Sequence, residues 1–309
     1  MTLAVIIVNY NAGEWLQRSV RSAVQSPEVD AVFVVDNASQ DASISGLKDA
    51  LGIDDDNASE HSHKLQLILN SENVGFGKAN NQILKQIVEP ETSNVDSLSF
   101  DYVLLLNPDC ELFPDVLPVI LNYFSHHPNL GMAGCVIKDS EGSIQSTCRR
   151  KFPTPWTAFL RMSQLSRFGF VKQYDFDLGV QALPDSLELV EAISGAFMLV
   201  RVEAIKQIGI FDEQYFMHCE DLDWCKRFQL ENWDVGFIPE VSVLHEKGVS
   251  SQSRPIGVLW NLHRGMLRFF DKFYRHQSPL YLRIIVPIGV YASFLVRSLK
   301  SFLLKNKLR

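Results

Sequence analysis

The residues able to do chemistry stand where apolar runs end. LAVIIV, residues 3–8, stops at Asn9 and Asn11, and AVFVV, residues 31–35, stops at Asp36 and Asn37. LQLIL, residues 65–69, stops at Asn70 and a loop with Gly75, while the run Val103–Leu106 stops at Asn107, Pro108 and Asp109. A carboxylate at the mouth of a buried strand is costly unless something positive meets it. Pro108 has no N–H and a fixed φ, so it ends the ladder and sets the direction in which Asp109 leaves. Asp109 also fits a plainer role, the cap of the apolar-periodic segment from Asp115 to Phe124. A second group, Glu220, Asp221 and Asp223, follows Tyr215, Phe216 and Met217 at a helix start. The helix dipole favours acids there, yet three behind an aromatic pocket are more than one cap needs. His245, alone after an apolar run, suits a structural role or a ligand's.

The elements that must position these residues follow from hydrophobic period. The first four apolar runs are of strand length and alternate with helical patterns: Trp15, Leu16, Val20, Ala23 and Val24, then Ile83, Leu84, Ile87 and Val88. That alternation predicts an α/β open sheet, mostly parallel, with ligands beyond the carboxyl ends of its strands. Four polar strand ends on one rim make a site of nucleotide size. It is neither a dinucleotide cradle, because N-Y-N-A-G replaces G-x-G-x-x-G after the first strand, nor a P-loop. Further along, Met132–Lys138 predicts a strand that turns at Asp139–Gly142 into another. Residues 193–200 are apolar around Ser194 and Gly195, which suits close approach of a ligand to backbone. Val202–Ile208 is a short helix ended by Gly209, and two strand pieces, Val235–Pro239 and Val241–Leu244, lead to His245. Residues 149–185 show no period and read as a binding loop or lid. The acidic stretch 52–63, with Asp54, Asp55, Asp56, His61 and His63, reads as a solvated loop.

Charge is distributed unevenly. The 309 residues carry a formal −7, but from Arg254 onward 11 basic residues face one acid, which leaves −17 on the rest. An acidic body argues against nucleic acid as a partner, and the basic tail suits an anionic membrane surface. Five cysteines with no C-x-x-C pair point to reduced thiols in a cytoplasmic setting. No basic region and no cleavage site precede the first strand, so no secretory signal is expected.

In this order the motifs Asn9-Tyr10-Asn11, Asp36-Asn37-Ala38-Ser39, Asn73-Val74-Gly75-Phe76-Gly77 with Asn80-Asn81, Asn107-Pro108-Asp109, Ser194-Gly195-Ala196, Phe211-Asp212-Glu213, Glu220-Asp221-Leu222-Asp223 and His245 resemble glycosyltransferase family 2. The nearest resemblance is to its bacterial rhamnosyltransferase-like branch, over roughly residues 3–250. The resemblance implies a GT-A fold and inverting transfer from a nucleotide-sugar donor with Mg²⁺ or Mn²⁺. It implies that Asp109 and His245 hold the metal, with Asn107 in place of the first acid of the family's Asp-x-Asp motif. It further implies Asp221 as general base, Glu220 placing base or acceptor, and Asn9, Asn11, Asp36, Gly75, Asn80, Asn107 and Gly195 around the nucleotide-sugar. Trp224 and Arg150 are candidate acceptor contacts. The implied product is an L-rhamnosyl linkage from dTDP-L-rhamnose in cell-envelope polysaccharide; UDP-activated galactofuranose, N-acetylglucosamine or galactose, or a binding module without turnover, are the alternatives. A nucleotidyltransferase is a third class, disfavoured because no Gly-rich basic loop follows the first strand.

The expected organisation is a glycosyltransferase domain at 1–250, with a nucleotide half to about 110 and an acceptor half after it, and a basic helical tail at 251–309. In the tail the uncharged run Ile284–Val296 is short for a span, and the flanking Arg283, Arg297, Lys300, Lys305 and Lys307 suit an interfacial amphipathic helix. Packing on the body or on a second copy is the other reading of that helix. Docking at the inner face of the membrane would serve a lipid-linked acceptor.

Overall fold

The computed structural model describes residues 1–52, 64–89, 99–154, 178, 181–246 and 255–307, with side chains to 301. The Asp54–Asp56 cluster, His61, His63 and most of the expected lid lie outside that set, as does the expected boundary near 250. The first half runs β1 (Leu3–Asn9), α1 (Trp15–Gln25), β2 (Ala31–Asp36), α2 (Ser43–Leu51), β3 (Leu65–Leu69), α3 (Phe76–Val88) and β4 (Tyr102–Leu106). There follow β5 (Cys110–Glu111), α4 (Val116–His126), β6 (Leu130–Lys138), β7 (Arg149–Arg150), β8 (Glu188–Leu189), β9 (Ala192–Ile193) and β10 (Phe197–Arg201). The last elements are α5 (Val202–Ile208), α6 (Glu220–Leu230), β11 (Asp234–His245), α7 (Pro255–Phe273) and α8 (Leu280–Lys307).

The main sheet has the order β3-β2-β1-β4-β10-β6-β11-β5, with β8 against β11. Strands β1 to β4 are parallel, as are β6 and β11, and β10 runs antiparallel between β4 and β6. Every residue of β1, β2 and β4 is buried, which is why those strands read as unbroken apolar runs. Edge strand β3 is only partly buried. The order reverses direction at β1 and β4, so the carboxyl ends of β1, β2, β4 and β11 share a rim with the start of antiparallel β10. The two expected pieces around Pro239 are one strand, β11, whose pairing with β6 shifts between Ile238 and Ser242. Pro239 has no N–H for the ladder, and the irregularity passes it by.

The tail divides into two parts. Helix α7 packs on the body: Phe269 joins the main core, and Gly265 lies so close to the His218 carbonyl that a Cβ there would sit 2.6 Å from its oxygen. Helix α8 rests on α7 through Val286 and Val290, which form a small cluster with Phe270. Phe294 packs on Trp260 and His263 of α7, while Tyr281, Ile284, Ile288, Leu295 and Leu299 are exposed. The helix extends well beyond the uncharged run: the 22 residues Leu280–Ser301 are long and apolar enough by composition to cross a membrane.

Candidate active site

At the ends of β1 and β2 the polar side chains satisfy one another. Asn9, fully buried, donates through Nδ2 to Asp36 Oδ1 (2.7 Å), Ser43 Oγ (2.8 Å) and Ser39 Oγ (3.0 Å). The Asp36 carboxylate also accepts from the Ser39 hydroxyl (2.6 Å) and N–H (3.0 Å). Asn9 therefore sits behind the rim as its organiser, and Asp36 is bound largely by its own turn. Asn11 reaches the rim itself, in the left-handed region at φ 54°, with its N–H on Ser39 Oγ and its Oδ1 accepting from the Gln40 N–H. Asn37 ties this turn to the next loop, donating to Gly75 O and accepting from Asn70. Gly75 has φ 90° and backs directly onto Phe216 O, where a Cβ would approach to 2.5 Å. Asn80 is buried in α3 and donates to Phe76 O at 3.0 Å.

The β4 and β11 ends make the second group. His245 Nε2 lies 3.1 Å from Asp109 Oδ1 and 3.2 Å from Asn107 Nδ2; Asn107 and Asp109 lie between β4 and β5, and β5 pairs with the end of β11 at His245. On the other side of the ring, Nδ1 is 3.1 Å from Gln145 Oε1. In the neutral ring with its proton on Nδ1, the Nε2 lone pair lies beside both the Asn107 amide and the Asp109 carboxylate, and a cation between Nε2 and Asp109 would satisfy both electron-rich atoms. Ligands at about 2.1 Å and right angles on Mg²⁺ are about 3.0 Å apart, so this donor pair fits one edge of such an ion. Among the described residues no three His, Cys, Asp or Glu side chains gather for a metal, so a cation here would draw its remaining ligands from substrate oxygens and water.

The third group is the turn before α6. His218 and Cys219 are both left-handed, at φ 72° and 71°, and present Glu220 and Asp221 at the helix start. Asp221 Oδ2 accepts from the Arg150 guanidinium and from the Gly195 N–H (3.3 Å), and Oδ1 from the Leu222 N–H (2.8 Å). Gly195 thus abuts the acid: a Cβ there would lie 3.4 Å from Asp221 Cβ, in ordinary contact. Arg150 reaches that acid from β7, so its ion pair is now the fixed part of its surroundings. Glu220 is buried and its Oε2 has no hydrogen-bond partner among the described residues. Burial, with the Asp221 charge beside it, raises the Glu220 carboxyl to about 8. Burial also lowers the basicity of His218, whose Nε2 lacks a described partner too. The second and third groups are joined where the Asn107 N–H donates to Ala196 O at 3.0 Å.

Trp224 does not reach the site and is withdrawn as an acceptor contact. It is wholly buried between Phe211 and Phe228, and its indole N–H is satisfied by Gly209 O at 2.9 Å. Its i, i+4 spacing to Phe228 was the available signal for a core position. Asp223 likewise faces inward, fully buried and paired with Arg227 (2.8 Å) and with Lys272 of α7 (2.6 Å). Gln145, Arg268 and Lys272 escaped sequence reasoning because each meets its partner across a long stretch of chain. Lys272 and Arg268 hold Asp212 at 3.0 and 2.6 Å and keep its carboxyl below the usual range against the opposing effect of burial.

Known proteins resemble this chain in sequence and in fold. The chain is 27% identical to an N-acetylglucosaminyl-diphospho-decaprenol L-rhamnosyltransferase of Mycobacterium tuberculosis, over 96% of its own length and 93% of the relative's. It is 29% identical to the rhamnosyltransferase WbbL of Escherichia coli K12 over 55% of its length and 60% of that protein's. Among solved structures, GalNAc-T7 with UDP, GalNAc and Mn²⁺ superposes with a TM-score of 0.59 at 13% identity, covering 88% of this chain and 48% of that one. A mannosyltransferase of Pyrobaculum calidifontis with GDP-Man and Mn²⁺ gives 0.55 at 12% identity over 99% and 79%. These likenesses identify the fold as GT-A. The model of the family described as "Glycosyltransferase like family 2" matches residues 2–268, and the chain belongs to that family.

Proposed function

We infer that the protein is an inverting, divalent-metal-dependent glycosyltransferase that moves L-rhamnose from dTDP-L-rhamnose to a lipid-linked or other saccharide acceptor in cell-envelope polysaccharide assembly. The observation that carries the transfer reading is the meeting, at one rim, of the Asp109–His245 pair with a two-acid turn in which Glu220 is buried and Asp221 half-buried. Rhamnose and the lipid-linked acceptor rest on the relatives' names. Asn11, Gly75 and the Asn37 turn border the nucleotide, and Asn9 and Asp36 hold that border in shape.

In an inverting transfer the acceptor oxygen bonds to the sugar carbon as the bond from that carbon to the diphosphate breaks. The bond's electron pair leaves with the diphosphate, and the hydroxyl proton goes to a base on the acceptor side. Asp221 Oδ1 is the atom assigned that proton. Arg150 and the Gly195 N–H fix the carboxylate's other oxygen, so the base is aimed before substrate arrives. Glu220, kept neutral by burial, offers a hydrogen-bond donor to the acceptor. A cation bound by Asp109 and His245 would neutralise charge on the leaving diphosphate.

Calorimetry with dTDP, UDP and GDP, with and without Mn²⁺, on wild type and Asp109→Ala tests the donor site. Metal-dependent binding of dTDP that Asp109→Ala weakens supports the reading, preference for UDP or GDP changes the donor, and absence of binding by all three overturns it. The exposed face of α8, flanked by Arg283, Arg297 and Lys300, is the surface assigned to the inner leaflet of the cell membrane. Deleting residues 279–309 should move the protein from the membrane to the soluble fraction, and unchanged partitioning would remove that assignment.

A further inference from the structure

Gln145 has no place in the transfer described above, yet it is buried, 8% exposed, and makes two bonds to the same residue. Its Nε2 donates to the backbone carbonyl of His245 at 2.8 Å, and its Oε1 lies 3.1 Å from Nδ1 of that histidine's ring. The backbone carbonyl can only accept, so the amide's NH₂ must face it. The carbonyl end of the amide therefore faces Nδ1, and it can only accept as well. Nδ1 must then carry the proton. On the far side of the ring, the NH₂ of Asn107 stands 3.2 Å from Nε2 and asks that nitrogen to accept. Both neighbours demand the same tautomer, in which Nε2 keeps its lone pair beside Asp109 and a cation would take it over from the Asn107 amide. Gln145 is itself anchored, because its N–H donates to Ile137 O in β6 at 2.8 Å and its carbonyl accepts from the Cys148 N–H at 3.2 Å.

We propose that Gln145 is a positioning residue that locks His245 in the Nδ1–H tautomer, so that its Nε2 is presented with Asp109 as a preformed pair of cation ligands. The proposal rests on the metal reading above and adds the residue that prepares it. Without Gln145 the neutral ring gains a favourable alternative, with its proton on Nε2 donated to Asp109 Oδ1, and that proton occupies the place a cation would take. Outer hydrogen bonds of this kind change metal affinity by about 10–100-fold.

Two measurements test it, neither of which reads transfer. In metal-free protein labelled with ¹⁵N-histidine at pH 8, long-range ¹H–¹⁵N spectra should show the His245 signal, identified by its loss in His245→Asn, in the Nδ1–H form. Gln145→Met should shift it toward the Nε2–H form. Titration of Mn²⁺ in the presence of dTDP should then show a 10–100-fold loss in Gln145→Met, and recovery of most of that loss in Gln145→Glu, which restores an acceptor for Nδ1–H. A merely structural role predicts no such recovery. An Nε2–H tautomer in wild type overturns the proposal, as does wild-type Mn²⁺ affinity in Gln145→Met where Asp109→Ala has lost it. If Asp109→Ala and wild type bind Mn²⁺ alike, the metal reading fails and the purpose of the lock falls with it.

Discussion

The paired turns that follow β1 and β2 and the turn before α6 carry the same kind of strain and treat it in opposite ways. Each holds two left-handed residues that are not glycine, Asn11 and Ala38 in the first, His218 and Cys219 in the second. Such residues cost on the order of 1–3 kcal/mol each and persist only when their surroundings hold them. At the first pair of turns Asn9, Asn11, Asp36 and Ser39 bond to one another, and of the group's buried side-chain atoms only Asn9 Oδ1 lacks a described partner. At the second, Glu220 Oε2 and His218 Nε2 are buried without described partners. The region assigned to the nucleotide has most of its polar groups paired before its ligand arrives; the region assigned to the acceptor contains ionisable groups that a ligand would complete. Binding and chemistry should therefore separate on mutation.

The largest separation is expected for Asp221→Asn, which should lower transfer by about 10²–10⁴-fold and leave nucleotide affinity unchanged. Unchanged turnover would remove Asp221 as the base. Trp224→Ala should cost about 3–5 kcal/mol of stability in chemical unfolding, because the indole fills the core behind the acid turn; a loss confined to acceptor KM would return it to the site. Glu220→Gln addresses the unsatisfied acid through pH. In the native state its carboxyl keeps its proton up to about 8, against 4.5 ordinarily, so between these values the folded protein binds more protons than the unfolded. Wild-type stability contributed by this group therefore falls as pH rises through that window. The variant's advantage in Tm should grow from about pH 4.5 to 8 and then level; a constant difference would show that burial does not hold Glu220 neutral. The smallest effect is expected at the completed turn, where Ser39→Ala should cost about 1 kcal/mol of stability and less than tenfold in nucleotide affinity.

How much of this was legible in the sequence follows the same division. The strand ends announced themselves because parallel strands buried on both faces are unbroken apolar runs, and the polar residue that ends each run is already at the rim. The resemblance carried the order of motifs onto a GT-A sheet, although the antiparallel insertion of β10 left no periodic mark. The acid turn was legible as residues but not as an arrangement. Asp221 meets Arg150 from β7, Asp223 meets Lys272 from α7, and His245 meets Gln145 across 100 positions. No local period encodes pairings of that length. Trp224, a candidate acceptor contact by resemblance alone, has a spacing to Phe228 that belongs to a packed helix face.

Gly265 has a consequence for how such proteins are taken apart. Because α7 approaches the His218 carbonyl so closely that only a glycine leaves room, the helix that begins the tail also forms the wall behind the two acids. The tail is then not a detachable module. A chimera that borrows another protein's membrane anchor should be joined after α7, near Ser278, where α8 begins. A junction placed before Pro255 would replace the wall behind the two acids along with the helix assigned to the membrane, however soluble and well folded the product.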